Sequence, residues 1–509
     1  MSTEPWRPKY NPWLIAVVVS LAAFMEVLDT SIANVALPYM AGGLGASNDE
    51  STWVLTSYLA ANAIVLPISG WLVGVFGRKR FFMTCILVFT VSSLLCGMAP
   101  SLGLLLVARV LQGAGGGGLQ PMAQAILADA FPPEKRGLAF GLYGLTAVMA
   151  PTIGPTLGGW ITDNYSWHWI FLINVPVGLL ALGLVLHLLE DPPYLTGAHA
   201  GGMRLDYIGF ALLALGVGAL QVVLDKGQED DWFGSRFITT LAVVAGASLI
   251  SLVVWELLHD QPLIDLRLFK NTNFLSANAM MLMLGIVLFS SLVMIPQFLQ
   301  SLMGYDALNA GLALSAGGLV LLVGMPIAGK LTSRVQARFL IATGWAGIAL
   351  SMVYSAQHLD LLISFGSAAW LRVVQSVSLP LLFVPINLAA YVGLPPEKGN
   401  SAAGLINFMR NIGSSIGTSM VTTLIARRSQ FHQVHLVSRM ATDNPVFQAQ
   451  VGALTKQLVD GGLGTYQAKR QAYARLYLMV RNQASTLAYV DTFWFLALCA
   501  AVMFGLSFL

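Results

Sequence analysis

The chain has 509 residues, 56% of them hydrophobic and only 10% Asp, Glu, Lys or Arg, against about 25% charged in a typical soluble protein. A mean hydropathy of +0.72 leaves too little polar surface to coat soluble domains of this size, which argues against a soluble enzyme, a nucleic-acid binder and a disordered scaffold alike. The net charge of +3, from 27 basic and 24 acidic residues, names no partner by itself; what matters is where the few charges sit.

Apolar runs of about 20 residues, the length that crosses a hydrocarbon core of about 30 Å, recur along the chain. In chain order they fall at residues 13–37, 53–75, 81–99, 102–128, 138–161, 169–189, 207–224, 237–258, 274–299, 310–331, 339–354, 361–391, 402–426 and 487–508, fourteen spans in all. Helix is the expected form, because lipid offers the backbone no hydrogen-bond partner and the ten-residue alternation of a barrel is missing. Arg7 and Lys9 before the first span resemble a signal peptide, but the span carries Glu26 and Asp29 and lacks a small-residue cleavage site, so it reads as retained. Cys85, Cys96 and Cys499 lie in apolar runs, which argues against a disulfide framework.

With the amino terminus inside, the short inner loops hold fourteen basic residues: Arg7, Lys9, Arg78, Lys79, Arg80, Lys135, Arg136, Arg204, Arg267, Lys270, Lys330, Arg334, Arg338 and Lys398. The short outer loops hold two, Lys226 and Arg236, so the positive-inside rule places both termini in the cytoplasm. The long connection 427–486 is external in this count yet carries eight basic residues, at a length where the rule loses force.

The chain repeats itself. Arg109-Val110 and Gln112 recur as Arg372-Val373 and Gln375 (372 − 109 = 263), and Pro132-Pro133-Glu134-Lys135 recurs as Pro395-Pro396-Glu397-Lys398 (395 − 132 = 263). Pro67-Ile68-Ser69-Gly70 recurs as Pro326-Ile327-Ala328-Gly329 (326 − 67 = 259). Spans one to six and nine to fourteen are therefore two related halves, and spans seven and eight an insertion, a plan common in duplicated transporters. The corresponding divisions are 1–190, 191–270 and 271–509, the last including the external segment 427–486.

An acid at the centre of a bilayer helix costs about 2.5–3.5 kcal/mol on insertion scales, so each needs a reason. Glu26 and Asp29 stand three residues apart on one face of the first span with Asn34 nearby, an arrangement suited to a coupled pair that loads and releases protons. One of them anchoring a helix contact, or sitting near the inner interface, is the plainer alternative. Arg109, Gln112, Gly116, Gln120 and Gln124 follow steps of three and four along the fourth span, a polar stripe expected to face a wet cavity. Arg109 on that stripe would stabilise a carboxylate at Asp29 or Glu26, or form a static ion pair. Arg372 repeats Arg109 with no evident intramembrane acid, and a place near the outer interface fits it equally. Arg410, among Asn407, Asn411, Ser414 and Thr418, is either cavity lining or packing glue.

In the fifth span Pro151 and Pro155 are expected to kink the helix, while Gly154, Gly158 and Gly159 give a surface on which another helix can press, as a hinge or as tight packing. Gly115 to Gly118 form no phosphate loop, since no Gly-Lys-Ser/Thr follows. Met280, Met281, Met283 and Met294 are lipid-facing filler or an adaptable contact surface. The histidines are scattered, and His432 with His435 lacks further metal ligands, so no metal, cofactor or catalytic constellation is expected.

With these residues in view, the chain resembles the fourteen-helix drug:proton antiporters of the major facilitator superfamily, the EmrB/QacA group, on its EmrB side. The first-span signature stands as Leu28-Asp29-Thr30-Ser31-Ile32-Ala33-Asn34-Val35-Ala36-Leu37-Pro38, and the second-loop motif runs from Gly70 to Arg80 through Gly77, Arg78 and Lys79. Gly74 stands at that motif's fifth position, where the family usually carries the acid of an inter-helix charge lock. Arg109, Gln112 and Gly113 match the fourth-span motif, and Gly154, Pro155, Gly158 and Gly159 the antiporter motif. The resemblance implies an all-α integral membrane protein of two pseudo-symmetric six-helix bundles plus two inserted helices. It implies proton-driven multidrug efflux across a bacterial inner membrane by alternating access, with Asp29, Glu26 and Arg109 coupling protons and Asn34, Gln112, Gln120, Gln124, Asn407 and Asn411 lining the path. It further implies an EmrA-like periplasmic adaptor and a TolC-like outer-membrane channel. A metabolite or siderophore exporter, and more remotely a proton-coupled importer, share the same outline.

Overall fold

The computed structural model describes residues 8–192, 206–259, 262–438, 440 and 444–508, helical almost throughout with no strand among them. Arg7, Arg204 and Arg439, used in the charge count, lie outside the described residues. The first half contributes α1 (Pro12–Leu44), α2 (Asn48–Phe76), α3 (Arg78–Gly97), α4 (Leu102–Gly116), α5 (Leu119–Ala130), α6 (Pro133–Asn164), α7 (Trp169–Leu172) and α8 (Asn174–Leu188). Next come α9 (Tyr207–Lys226) and α10 (Arg236–Leu258). The second half contributes α11 (Thr272–Met303), α12 (Ala307–Leu331), α13 (Ala337–His358), α14 (Phe365–Ala389), α15 (Gly399–Val437), α16 (Pro445–Asp460) and α17 (Thr465–Leu506).

Local chemistry sets the ends of these helices. A capping box closes the start of α2, where the Ser47 side chain accepts from Glu50 N and the Glu50 carboxylate accepts from Ser47 N at 2.8 Å. Gly77 ends α2 at φ 83°, a conformation that favours glycine, and turns the chain directly into α3. The fourth span, expected to be continuous, is two helices broken at Gly117 and Gly118. A Cβ on Gly117 would stand 2.7 Å from the Asn62 carbonyl oxygen, so the glycines both admit the neighbouring helix and weaken this one. In α6 the helix runs on through both prolines. Pro155 has no N–H to give the Pro151 carbonyl four residues earlier; Ser31 Oγ donates to that oxygen instead, at 3.2 Å. Gly154 and Gly158 bring the same face of α6 against Ser31 and Ile32 of α1.

Thirteen helices of the described residues, taking α4 with α5 and α7 with α8, are long and apolar enough to cross a membrane. The expected span 402–426 lies in α15, which falls outside that set because Asn400, Asn407, Arg410 and Asn411 lower its hydropathy. The connection 427–486 is largely helical. It consists of the outer end of α15, the separate helix α16 and the first turns of α17, a helix of 42 residues. At about 1.5 Å per residue α17 is about 63 Å long, twice a hydrocarbon core, so it projects well beyond the membrane. Phe447, Val451 and Leu476 pack α16 on it. Arg428 and His432 of α15 both reach Asp491 of α17, at 2.6 and 2.7 Å, at the base of the projection.

The two halves meet chiefly where α6 packs on α12 and α2 on α15. Since the repeat pairs α2 with α12 and α6 with α15, these are one contact used twice. At the face bearing residues 77–80 the contact is closed. Gly70 leaves no room for a side chain beside Ser401, and a Cβ on Gly329 would stand 2.6 Å from the Gly137 carbonyl oxygen. Arg78 is 1% exposed, pairs with Asp129 at 2.7 Å and donates to Asn400 Oδ1 at 3.1 Å. The charge lock that Gly74 cannot make is thus built by Asp129 at the end of α5, with Asn400 tying in the second half. Lys79 is held separately, its backbone N–H on Asp191 and its ammonium on the Leu186 carbonyl. Toward the opposite face α9 lies along both α2 and α15.

Gly329→Val should force the two backbones apart at a cost of about 1–3 kcal/mol, lowering the closed-to-open ratio about fivefold or more. In a Ser401→Cys reporter, a membrane-impermeant maleimide should then label this face faster; an unchanged rate would mean that the glycine contact does not hold it shut.

Candidate functional site

Asp29 and Glu26 share a face of α1, as their spacing predicts, but they do not share a site. Asp29 and Arg109 are 2% and 0% exposed and pair Oδ2 to Nη1 at 2.5 Å. The other carboxylate oxygen accepts from Gln112 Nε2 at 2.9 Å and Asn174 Nδ2 at 2.8 Å, and both amides also donate to Ser93 Oγ. Arg109 Nη1 also reaches Gln112 Oε1 at 2.7 Å, and Nε donates to the Val54 carbonyl at 3.0 Å. Its guanidinium carbon lies 4.2 Å from the centre of the Tyr58 ring. Buried charge in a low dielectric is tolerated only when paired and hydrogen-bonded in this way.

Glu26, 3% exposed, sits in a second network. Its Oε1 accepts from Tyr58 Oη at 3.1 Å and Asn62 Nδ2 at 2.9 Å, and its Oε2 accepts from Gln120 Nε2. Tyr58 therefore joins the two networks, with its ring against Arg109 and its hydroxyl on Glu26. The expectation of a directly coupled pair is corrected accordingly: a tyrosine and an arginine stand between the acids, because each carboxylate turns to its own amide donors. Gln120 Oε1 in turn accepts from Arg410 Nη2 of the second half and from Tyr143 Oη at 3.4 Å.

A cavity of about 140 Å³ between the halves is bordered by Glu26, Thr30, Asn62, Gln120, Asp225, Arg410 and Asn411, among others. From Glu26, Asn62 and Arg410 its lining runs to Thr30, Leu59 and Thr418, each step leading away from the closed face along its helix. Beneath it lies a layer of amides that crosses between the halves. Gln124 Nε2 donates to Asn387 Oδ1, Asn407 Nδ2 to Gln124 Oε1 at 2.5 Å, and Tyr143 Oη to Asn407 Oδ1 at 3.1 Å.

The polar stripe of the fourth span is therefore divided. Gln120 borders the cavity, Gln124 and Asn407 form its floor, and Arg109 and Gln112 are sealed around Asp29, because the break at Gly117 and Gly118 sets α4 apart from α5. Asn411 borders the cavity and donates to Asn62 Oδ1 at 3.3 Å; Asn34 is exposed on α1, outside the bordering set. Arg372 is fully buried and held by Gln375 Oε1 at 2.6 Å, with no acid paired to it among the described residues. Tyr58, Asn62, Asn174, Asn387 and Asp225 were absent from the sequence-based set. Single polar residues inside otherwise apolar spans were the available signal for the asparagines, while Asp225 stood one residue past the expected end of its span. Among the described residues no group of three or more His, Cys, Asp and Glu is placed to hold a metal.

The family model of the Major Facilitator Superfamily matches residues 19–418. Multidrug export protein EmrB of Escherichia coli strain K12 is 37% identical over 493 residues, covering 97% of this chain and 94% of the relative. EmrB of Haemophilus influenzae is 39% identical over 486 residues, covering 95% and 93%. Fatty acid resistance protein FarB of Neisseria gonorrhoeae is 35% identical over 464 residues, covering 91% and 90%. The proton:xylose symporter XylE has a similar fold, with a TM-score of 0.59 at 14% identity over 84% of this chain and 91% of that one.

Arg109→Met alone, which strands Asp29, should cost about 3–5 kcal/mol and lower Tm in detergent. The double variant Arg109→Met/Asp29→Leu should recover much of that loss. A double variant as unstable as the sum of its singles would show that the two side chains do not act as a pair.

Proposed function

We propose that this chain, which belongs to the Major Facilitator Superfamily and to its EmrB-type multidrug transporters, exports hydrophobic or amphipathic compounds in exchange for protons. It is a transporter and not an enzyme. The observation that carries the proton reading is the buried Asp29–Arg109 pair, joined through Tyr58 to a second acid, Glu26, on the wall of the cavity between the halves.

Protons reach the acids from the side to which the cavity lining leads, and the two halves rock about the cavity to expose it alternately. A proton on Asp29 removes the charge that Arg109 pairs with and frees the guanidinium. A proton on Glu26 acts across the halves. Protonated at Oε2, the carboxyl gains an O–H to donate, and giving it to Gln120 turns the amide oxygen toward Glu26 and its NH₂ toward Arg410, which cannot accept a hydrogen bond. Loading Glu26 thereby loosens a contact between the halves. One elementary charge crossing about 100 mV is worth about 2.3 kcal/mol, roughly a 50-fold gradient of a neutral compound per proton. For a monovalent cation two protons restore that drive, and two acids permit it.

The chain is a multi-pass membrane protein. The basic residues of the 77–80 loop and the other short loops on its side support a bacterial inner-membrane setting with both termini cytoplasmic, the closed face inward and the α15–α17 projection in the periplasm. On that reading the projection is the surface for an EmrA-like adaptor leading to a TolC-like channel, and its groove of about 700 Å³, lined by Leu436, Phe447, Leu476 and Met479, supports the assignment.

In liposomes with an imposed proton gradient, Asp29→Asn should lower drug-driven proton flux at least about tenfold while drug binding persists. Glu26→Gln should leave exchange of a neutral drug but weaken exchange of a monovalent cation. Normal flux in Asp29→Asn would remove Asp29 from the mechanism.

A further inference from the structure

Asp225 belongs to the inserted helix α9 and to neither half, yet it borders the cavity beside Glu26 and Arg410. Three acids stand in or next to this cavity, and their bonding differs. Asp29 is neutralised by Arg109 and sealed from the cavity. Glu26 accepts from Tyr58, Asn62 and Gln120, which occupy both of its oxygens. Asp225 accepts through Oδ1 from Gln221 Nε2 at 3.1 Å, and its Oδ2 has no hydrogen-bond partner. The Thr56 hydroxyl donates to the Thr52 carbonyl at 3.4 Å and also stands close enough to interact with the Asp225 carboxylate.

The neighbouring cation does not fill the gap. Lys226 Nζ points away from the cavity, to the Asp49 carbonyl at 3.0 Å, the Thr52 hydroxyl and Glu229 Oε2 at 2.6 Å. Gln221, which orients Asp225, is itself fixed by Ser415 of α15 at 2.9 Å. The carboxylate is thus oriented by Gln221 at the wall, with its buried Oδ2 outside any hydrogen bond of good geometry. Of the ionisable side chains bordering the cavity, two are acids, Glu26 and Asp225, and one is a base, Arg410, which is engaged with Gln120. Leu59, Val27 and Phe289 supply apolar surface around them.

We propose that Asp225 is the recognition site for the cationic group of positively charged amphipathic substrates, supplied to the cavity by the inserted helix pair. A cavity of about 140 Å³ is the size of such a headgroup, and the apolar remainder of the molecule lies against Leu59 and Phe289 as the halves separate. Asp225 selects by charge while the two acids of α1 carry protons, so cation recognition and proton loading fall on different residues. The inference rests on the export reading only for the direction in which the bound cation travels.

The test is binding of benzylammonium to the full chain in detergent by calorimetry, with benzyl alcohol as an uncharged probe of similar size. Asp225→Asn, and Asp225→Ser as a second charge-removing variant, should weaken benzylammonium about tenfold or more, change benzyl alcohol binding by less than about twofold, and keep the wild-type Tm without ligand. Asp225→Glu should restore most of the cation affinity. Equal loss for both probes makes Asp225 a packing residue and overturns the proposal, as does wild-type affinity in Asp225→Asn or no benzylammonium binding by the wild type. Normal binding without drug-stimulated proton flux in liposomes would overturn the exchange reading and leave this site standing.

Discussion

Burying Asp29 with Arg109 is the constraint around which the first half is organised. Neither charge is tolerable alone in a medium of low dielectric, and the pair depends on partners for most of its remaining oxygens and N–H groups, Arg109 Nη2 being left without a hydrogen bond. Gln112, Asn174 and Ser93 satisfy the carboxylate, while the Val54 carbonyl and the face of Tyr58 receive the guanidinium. With Asp29 itself on α1, these partners draw in α2, α3, α4 and α8, so satisfying one ion pair fixes how five helices sit against one another. The break between α4 and α5 follows from the same packing: α4 keeps Arg109 and Gln112 turned to Asp29, and α5 is free to turn Gln120 toward the cavity and Gln124 toward its floor.

The second half repeats the frame without the charge pair. Arg372 stands eight residues into α14, as Arg109 stands eight residues into α4, and it keeps the glutamine three positions on. What it lacks is a counterpart to Asp29. The duplication therefore preserved the geometry of a buried guanidinium and left its carboxylate partner in one half only. Contacts between the halves carry the complementary lesson. They rely on glycines at Gly70, Gly137 and Gly329 and on neutral amides at the cavity floor, contacts that form and break without moving charge into lipid. Arg78, Asp129 and Asn400 are the exception at the closed face, and there the charges are within reach of water when the contact opens.

Much of this was legible in the sequence because it depends on local pattern. Span positions follow from runs of apolar residues, the two halves from a displacement of about 260 positions, and Asp29 with Arg109 from their cost in a bilayer. Three things were not legible. Which partner each acid takes depends on helix rotation, and Glu26 and Asp29, three residues apart, proved to diverge because their amide donors lie on different helices. The break at Gly117 and Gly118 depends on the approach of α2; the run Gly115 to Gly118 marks a weak point in the fourth span but does not say that the helix parts there. The 427–486 segment reads only as a long external connection, yet most of its described residues are helical, since a long helix outside lipid needs only a modest apolar stripe such as Phe447, Val451 and Leu476 to be held.

Separating a sealed ion pair from an open acid has a physical logic that bears on how one cavity accepts chemically different compounds. A carboxylate with an unpaired oxygen buried at the wall discriminates by charge, because a cationic ligand relieves the cost of leaving that oxygen without a partner. A carboxylate whose oxygens are already occupied discriminates little, whatever enters. Glu26 is occupied by Tyr58, Asn62 and Gln120 and Asp29 is sealed with Arg109, which leaves Asp225 as the acid at the wall with an unpaired oxygen. The inserted helix is then the element through which charge preference is set, and it does so from outside the duplicated frame. Changes on α9 can retune recognition without disturbing the ion pair on which the first half depends.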